Sequence, residues 1–185
     1  MAIWLSSDWH FGHDREFLWG PRGFKSIEEH DEAIIERHNS LVAPEDTVIV
    51  CGDLMLNNNE HGLDCLSRLN GKFIVVRGNH DTDARWNLYR TNHNIVSLTD
   101  VHRFKYGKYK FYCSHYPTLT GNLEKEGLRQ VEINLFGHTH QQTNFYEDRP
   151  YMYHTGLDSH NCYPVNIDDI INDCEAKVKE CIDML

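Results

Sequence analysis

The sequence predicts an α/β (α+β) chain in which two packed sheets are flanked by helices, and three observations carry that reading. Short apolar runs rich in β-branched and aromatic residues recur along the chain, as buried strands require. Stripes of apolar residues at helical spacing lie between the first of these runs and again at the carboxyl end. The resulting order is strand, helix, strand, helix and then mainly strands, which suits stacked sheets with helices outside them.

Ile3-Trp4-Leu5 is the first predicted strand and leads into Asp8-Trp9-His10. Ser26-Ile27-Glu28-Glu29 is a capping-box pattern, with serine at the N-cap and glutamate three residues on. Behind it Ile27, Ile34, Ile35, His38 and Leu41 keep one helical face until Pro44 stops the helix. Val48-Ile49-Val50 is the second strand and ends at Gly52-Asp53. Leu63, Leu66 and Leu69 mark a second helix, closed by Gly71, and Phe73-Ile74-Val75-Val76 is the third strand, ending at Gly78-Asn79-His80-Asp81. Phe111-Tyr112-Cys113 leads to Ser114-His115, and Ile133-Asn134-Leu135-Phe136 leads to Gly137-His138-Thr139-His140. Ile167, Ile170, Ile171, Cys174, Val178, Cys181 and Leu185 predict a C-terminal amphipathic helix.

Each polar cluster thus sits at the carboxyl end of a predicted strand, where open α/β sheets bind ligands. Asp8 with His10, and His138 with His140, are two residues apart and would share a face in an extended segment. The donors are imidazole and carboxylate without thiolate, a set suited to manganese, iron, nickel or zinc and poorly suited to a structural cysteine-type zinc site. Asp8, His10, Asp53, Asn79, His115, His138 and His140 exceed the needs of one cation. Divided between two, with Asp53 counted for both, they supply four protein ligands per metal. Two cations roughly 3.5–4 Å apart clamp a phosphoryl group and hold a bridging hydroxide.

Taken together, D-x-H at Asp8, G-D at Gly52, G-N-H-D at Gly78, the histidine at His115 and G-H-x-H at Gly137 resemble the calcineurin-like metallophosphoesterase family. Ser7 to His13, and Asn161-Cys162-Tyr163-Pro164-Val165 near the end, resemble its compact bacterial and phage branch. The resemblance implies a four-layer αββα sandwich of two mixed sheets with no cap domain beyond short loops. It implies that Asp8, His10, Asp53 and His140 bind one metal, and that Asp53, Asn79, His115 and His138 bind the other. It makes His80 a non-ligand histidine at the leaving group and Asp81 the residue that orients it. Two divalent transition metals are the implied cofactors, manganese foremost, with a bridging hydroxide as nucleophile. The competing reading, a metal-binding interaction scaffold on the same fold, is disfavoured because every ligand position and His80 are present.

The chain has 185 residues and 40% hydrophobic composition, enough for one well-filled core and short for two, so one domain over residues 1–185 is expected. Its net charge of −10 argues against broad duplex nucleic-acid binding and favours a small phosphoester or nucleotide-like substrate. Two bound cations would bring that charge to about −6 and turn the pocket electropositive. No apolar stretch is long enough to span a bilayer, and the amino terminus lacks a basic leader. Cys51, Cys65, Cys113, Cys162, Cys174 and Cys181 form no CxxC, which favours free buried thiols in a reducing, cytoplasmic setting.

Phe11, Phe17, Trp19 and Phe24, interspersed with Gly12, Gly20, Pro21 and Gly23, follow the first cluster directly. That segment reads either as a lid or base-stacking wall over the pocket, or as packing against a sheet edge. His13, close in sequence to Asp8 and His10, reads as a substrate contact along with Asn79 and His80, or as a surface histidine. Arg77 reads as structural, and the roles of His154 and His160 stay open. Within the clusters no arginine or lysine except Arg77 could bind a terminal phosphate, so phosphodiesters are expected to be preferred over monoesters.

Overall fold

A computed structural model describes residues 1–121 and 127–183. The first sheet has strand order β4-β3-β2-β1-β9, from β1 (Ile3–Ser6), β2 (Thr47–Val50), β3 (Lys72–Val76), β4 (Ile95–Thr99) and β9 (Val165–Asn166). The first four run parallel, and β9 closes the edge antiparallel to β1. The second sheet has order β5-β6-β7-β8, from β5 (His102–Tyr106), β6 (Tyr109–Cys113), β7 (Glu132–Phe136) and β8 (Met152–His154). Here β5 and β6 form an antiparallel hairpin, while β6, β7 and β8 are parallel. Two mixed sheets with helices are the class the sequence led us to expect.

Strand β2 shows why its run is continuously apolar. Val48 and Val50 enter one core with Phe73 and Val75 of β3, whereas Ile49 and Cys51 enter a second core with Phe111, Cys113, Ile133 and Leu135. Successive side chains of a strand point to opposite faces, so a strand buried on both sides has no polar position to spare. Helices α2 (Ile27–Leu41), α3 (Asn59–Ser67) and α4 (Asp83–Tyr89) cover the first core through Ile34, Ile35, Cys65, Leu66 and Tyr89. Helix α5 (Ile167–Asp183) supplies Ile167, Ile170 and Cys174 to the second. A single turn, α1 (Glu16–Trp19), lies in the loop after β1.

The capping box forms at α2, where the Ser26 hydroxyl accepts from Glu29 N at 3.3 Å. The Glu29 carboxylate reaches one residue further back than the motif implies, accepting from Lys25 N at 2.7 Å. Helix α3 is shorter than its leucine stripe suggests. It ends at Ser67, and Leu69 is core outside it, because Gly71 (φ +106°) turns the chain into β3 rather than capping the helix. At the carboxyl end only Val165 of the segment from Asn161 enters β9, since Asn161 and Cys162 have positive φ and form the preceding turn. Leu185 lies outside the described residues. Among the described residues no helix is long and apolar enough to cross a membrane.

Candidate active site

Parallel register brings the strand ends level. Ser6 pairs with Val50 and Val50 with Val75, so the residues after β1, β2 and β3 leave the first sheet along one edge. In the second sheet Cys113 pairs with Leu135 and Leu135 with Tyr153, which levels the exits of β6 and β7. A parallel bridge from Ser7 to Gly156 joins the two edges.

Extended backbone is not what makes the paired donors converge. Asp8 (φ 58°) and His10 (φ 51°) are both left-handed, as are Asp53 (φ 58°), His138 (φ 68°) and His140 (φ 48°). Past β1 the chain runs beside the residues that follow β2: Asp8 N donates to Gly52 O and His10 N to Asp53 O, each at 3.0 Å. Trp9 turns into the core between them, with its Nε1 donating to Ser6 Oγ at 2.7 Å. Left-handed conformations cost a non-glycine residue about 1–3 kcal/mol and persist where surrounding packing imposes them, commonly at functional sites. Two glycines show how tight that packing is. A Cβ at Gly78 would lie 2.2 Å from Asp53 Oδ1, and one at Gly137 would lie 2.4 Å from Asp8 Oδ2.

The structure brings all seven proposed ligand residues together in two linked sets. In the first, His10 Nε2 lies 3.3 Å from His140 Nε2, 3.9 Å from Asp8 Oδ1 and 3.8 Å from Asp53 Oδ2. In the second, Asn79 Oδ1 lies 2.8 Å from His115 Nε2 and 2.9 Å from His138 Nδ1. Asp53 Oδ2 is 3.4 Å from His115 Nε2 and so connects the sets. Donor atoms of Asp8, His10 and His140, and separately of Asp8, Asp53 and His115, lie within 4.8 Å of one another, the reach of one cation.

These donors fit divalent cations on electrostatic grounds. Asp8 and Asp53 are both buried, and among the described residues only histidines form ion pairs with them. Two neighbouring buried carboxylates need a counter-charge. Burial raises the Asp8 carboxyl above the ordinary range, despite the opposing influence of His140 and His115. Burial also disfavours charge on His115, yet its bond to Asp53 and the charge of Asp8 outweigh that and lift it to about 9. His10 is held well below its usual value by burial, and its Nδ1 is buried without a hydrogen-bond partner. His140 is raised as well, its bond to Asp158 and the charge of Asp8 outweighing its burial.

Asp158, which no spacing in the sequence singled out, accepts from the imidazole it fixes: its Oδ2 is 2.9 Å from His140 Nδ1. The buried Arg22 guanidinium clamps the same carboxylate through Nε at 3.0 Å and a second nitrogen at 2.8 Å, and donates to Asp8 O at 2.9 Å. Burial would raise the Asp158 carboxyl, but His140 and Arg22 drive it far below the ordinary range. An imidazole whose far nitrogen is held by a carboxylate is fixed in tautomer and orientation, as metal-binding histidines are.

Asp81 does not orient the His80 ring. Its buried carboxylate is taken up by Asp53 N (2.9 Å), Leu54 N (3.3 Å), Gly78 N (2.8 Å) and the Tyr89 hydroxyl (2.7 Å), which ties the second and third clusters together. His80 itself lies edge-on to His10, ring centroids 5.4 Å apart, on the wall of a cavity of about 400 Å³ shared with His13, Phe17, Leu18, Pro21 and Gln142. Of the aromatic segment only Phe17 is exposed, set edge-on against His13; Phe11 and Phe24 are core, and Trp19 packs against it. Arg77 is structural, donating to Asp81 O and paired with Asp83. His154 Nδ1 meets Ser159 Oγ at 2.8 Å while its buried Nε2 has no hydrogen-bond partner, and His160 Nε2 meets His154 O at 2.9 Å.

Over residues 1–157 the chain matches the sequence profile of the calcineurin-like phosphoesterase superfamily domain. It is 27% identical over 177 residues to an uncharacterized protein of Methanocaldococcus jannaschii, spanning 91% of this chain and 89% of that one. It is 33% identical over 97 residues to the Gene 66 protein of Mycobacterium phage L5, spanning 50% of this chain and 45% of that one. A protein of unknown function from Aquifex aeolicus superposes with a TM-score of 0.68 at 19% identity, covering 92% of this chain and 98% of that one. A phosphoesterase from E. coli superposes with a TM-score of 0.51 at 20% identity, covering 84% and 78%. The first three strands of the parallel sheet, the two strands facing them and the clusters at their ends all fall within the matched span: the chain belongs to the calcineurin-like phosphoesterase superfamily, and so to the metal-dependent phosphoesterases.

Proposed function

We propose that the chain hydrolyses phosphodiesters in preference to phosphomonoesters, using two divalent transition cations, manganese foremost. The observation that carries this reading is a donor cluster lying between two cavities. Asp8, His10, Asp53 and His140 would hold one cation, and Asp53, Asn79, His115 and His138 the other. When bound, the cations would lower the pKa of water so that hydroxide is available near neutral pH, and would draw charge from the phosphoryl oxygens.

On one side His10, His80 and His140 face the 400 Å³ cavity with Phe17, Leu18 and Pro21. On the other, Asn79 and His115 face a second cavity of about 400 Å³, with Tyr116, Ser114 and Thr118. Each volume suits one organic substituent of a diester. Phe17 and Tyr116 offer exposed ring faces for a nucleotide-like group. A monoester site would need cations at the terminal oxygens. The first cavity has no lysine or arginine in its described lining, and the second has Arg77, already committed to Asp83 and Asp81.

His80 would donate a proton to the departing oxygen. Its backbone N donates to Asp53 Oδ1 at 2.8 Å and its carbonyl accepts from Arg85 at 2.7 Å, so the ring is mounted on a fixed turn. His13, beside Phe17, would contact the substituent in the first cavity. All six cysteines are free, which supports a reducing, cytoplasmic setting.

The test is kcat/KM of the manganese-loaded protein on a matched diester and monoester, such as bis- and mono-nitrophenyl phosphate. A clearly higher value on the diester is expected. A higher value on the monoester would overturn the preference.

A further inference from the structure

A second group of donors lies outside the strand-end clusters, on two helices. Asp31 of α2 and His61 and Cys65 of α3 place Oδ2, Nε2 and Sγ within 4.8 Å of one another. His61 Nε2 is 2.8 Å from Asp31 Oδ2 and 3.4 Å from Cys65 Sγ. His61 and Cys65 are four residues apart on one helix, so their side chains stack on the same face. We propose that Asp31, His61 and Cys65 form a separate site for a borderline divalent cation, zinc or cobalt(II), which would tie α2 to α3.

The donor set decides the class of cation. One thiolate, one imidazole and one carboxylate suit tetrahedral zinc with water or a further oxygen in the fourth position, and suit magnesium or calcium poorly. The site is preorganised. Asp31 Oδ1 is fixed by His30 Nδ1 at 2.7 Å, and His30 Nε2 is in turn 2.9 Å from Arg22. Asp31 is buried, and among the described residues only His30 and His61 form ion pairs with it, so its charge has no fixed cation. Access exists as well. His61 is half-buried and faces a cavity of about 620 Å³ lined also by Gly12, Glu28 and Asn58.

Binding exchanges protons for the cation. The Cys65 S–H bond breaks and its proton passes to buffer, the His61 ring proton moves from Nε2 to Nδ1, S–metal and N–metal bonds form, and no electron is transferred. Burial and the neighbouring Asp31 raise the free thiol to about 12, so the thiolate would form only with the cation and uptake would strengthen as pH rises. Gly12 N donates to Asp31 Oδ2 at 2.9 Å, which places the filled site directly behind the turn that follows His10.

Cobalt(II) reads this site without interference from the strand-end donors, none of which is sulfur. The cation-free full chain, kept reduced with a phosphine, would be titrated with cobalt(II) while absorption is recorded. The proposal expects a thiolate-to-cobalt charge-transfer band in the near ultraviolet, abolished in Cys65→Ser and in His61→Ala. His61→Ala, at a partly exposed position, keeps the test available should Cys65→Ser not fold. Absence of the band in the unmodified chain, or its survival in either folded variant, would overturn the site. Diesterase activity of manganese-loaded Cys65→Ser is measured separately, so the fate of the hydrolase reading stays distinguishable.

Discussion

The two halves of the donor cluster are built differently. Asp8 and His10 are buried, and His140 is fixed from behind by Asp158, which Arg22 clamps in turn. Asn79 and His138 are exposed and find each other directly, Oδ1 to Nδ1 at 2.9 Å, whereas His115 beside them is buried. One half is thus positioned by an outer layer of charge, the other by its own members at the rim. On this reading a cation in the first half would be held more rigidly and exchange more slowly than one in the second. Asp53 is the residue the halves share.

Removing that shared carboxylate should erase the contrast. Asp53→Asn is expected to weaken both cations and reduce hydrolysis to background; elemental analysis still showing two tightly held metals would refute its bridging place. Next in size is His80→Ala, which should leave both halves loaded yet cost roughly 10²–10⁴-fold in rate. That loss should shrink on a nitrophenolate leaving group, which needs no proton, and equal losses on activated and unactivated esters would leave His80 a positioning role only.

Asp158→Ala should sharpen the comparison by loosening one half. Loss of an outer carboxylate typically costs 10–100-fold in metal affinity, here confined to the His140 side, and calorimetric titration would resolve a weakened site from an unchanged one. Equal weakening of both would show that the halves are not separately supported.

A proton on His115 would make loading pH-dependent. Because the His115 pKa is raised to about 9, an imidazolium there would persist through neutral pH, and a cation bound at that position would have to displace its proton. Apparent affinity should therefore climb with pH up to about 9, with proton release measurable in buffers of different ionisation enthalpy. The same shift gives the opposite trend in cation-free stability. A raised folded pKa stabilises below the unfolded value of about 6.5 and loses that contribution as pH rises through 9. Affinity that is flat from pH 6.5 to 9 would contradict this. Smallest of all, Ser26→Ala should lower stability by ~1 kcal/mol and leave metal binding untouched, since that cap lies outside both halves.

What the sequence disclosed and what it hid divide along physical lines. The strand runs were legible because a strand buried on both faces must be apolar throughout, and the clusters because their polar residues follow those runs at once. The left-handed backbone at Asp8, His10, Asp53, His138 and His140 was not legible, for φ there is set by contact between segments far apart in sequence. Asp158 and Arg22 lie 136 residues apart, and neither has a spacing that pairs it with His140. Asp81, adjacent to His80 in sequence, was expected to orient it, yet its carboxylate points back to Asp53 and Tyr89. In the aromatic segment composition could not separate Phe17, which faces the cavity, from Phe11 and Phe24, which fill the core.

The most direct test of the central claim, two cations sharing Asp53 between unlike halves, is an anomalous-difference map from crystals grown with manganese. The account predicts two peaks roughly 3.5–4 Å apart, both beside Asp53, one among Asp8, His10 and His140 and the other among Asn79, His115 and His138. A single peak, or two peaks of which one lies away from Asp53, would contradict it.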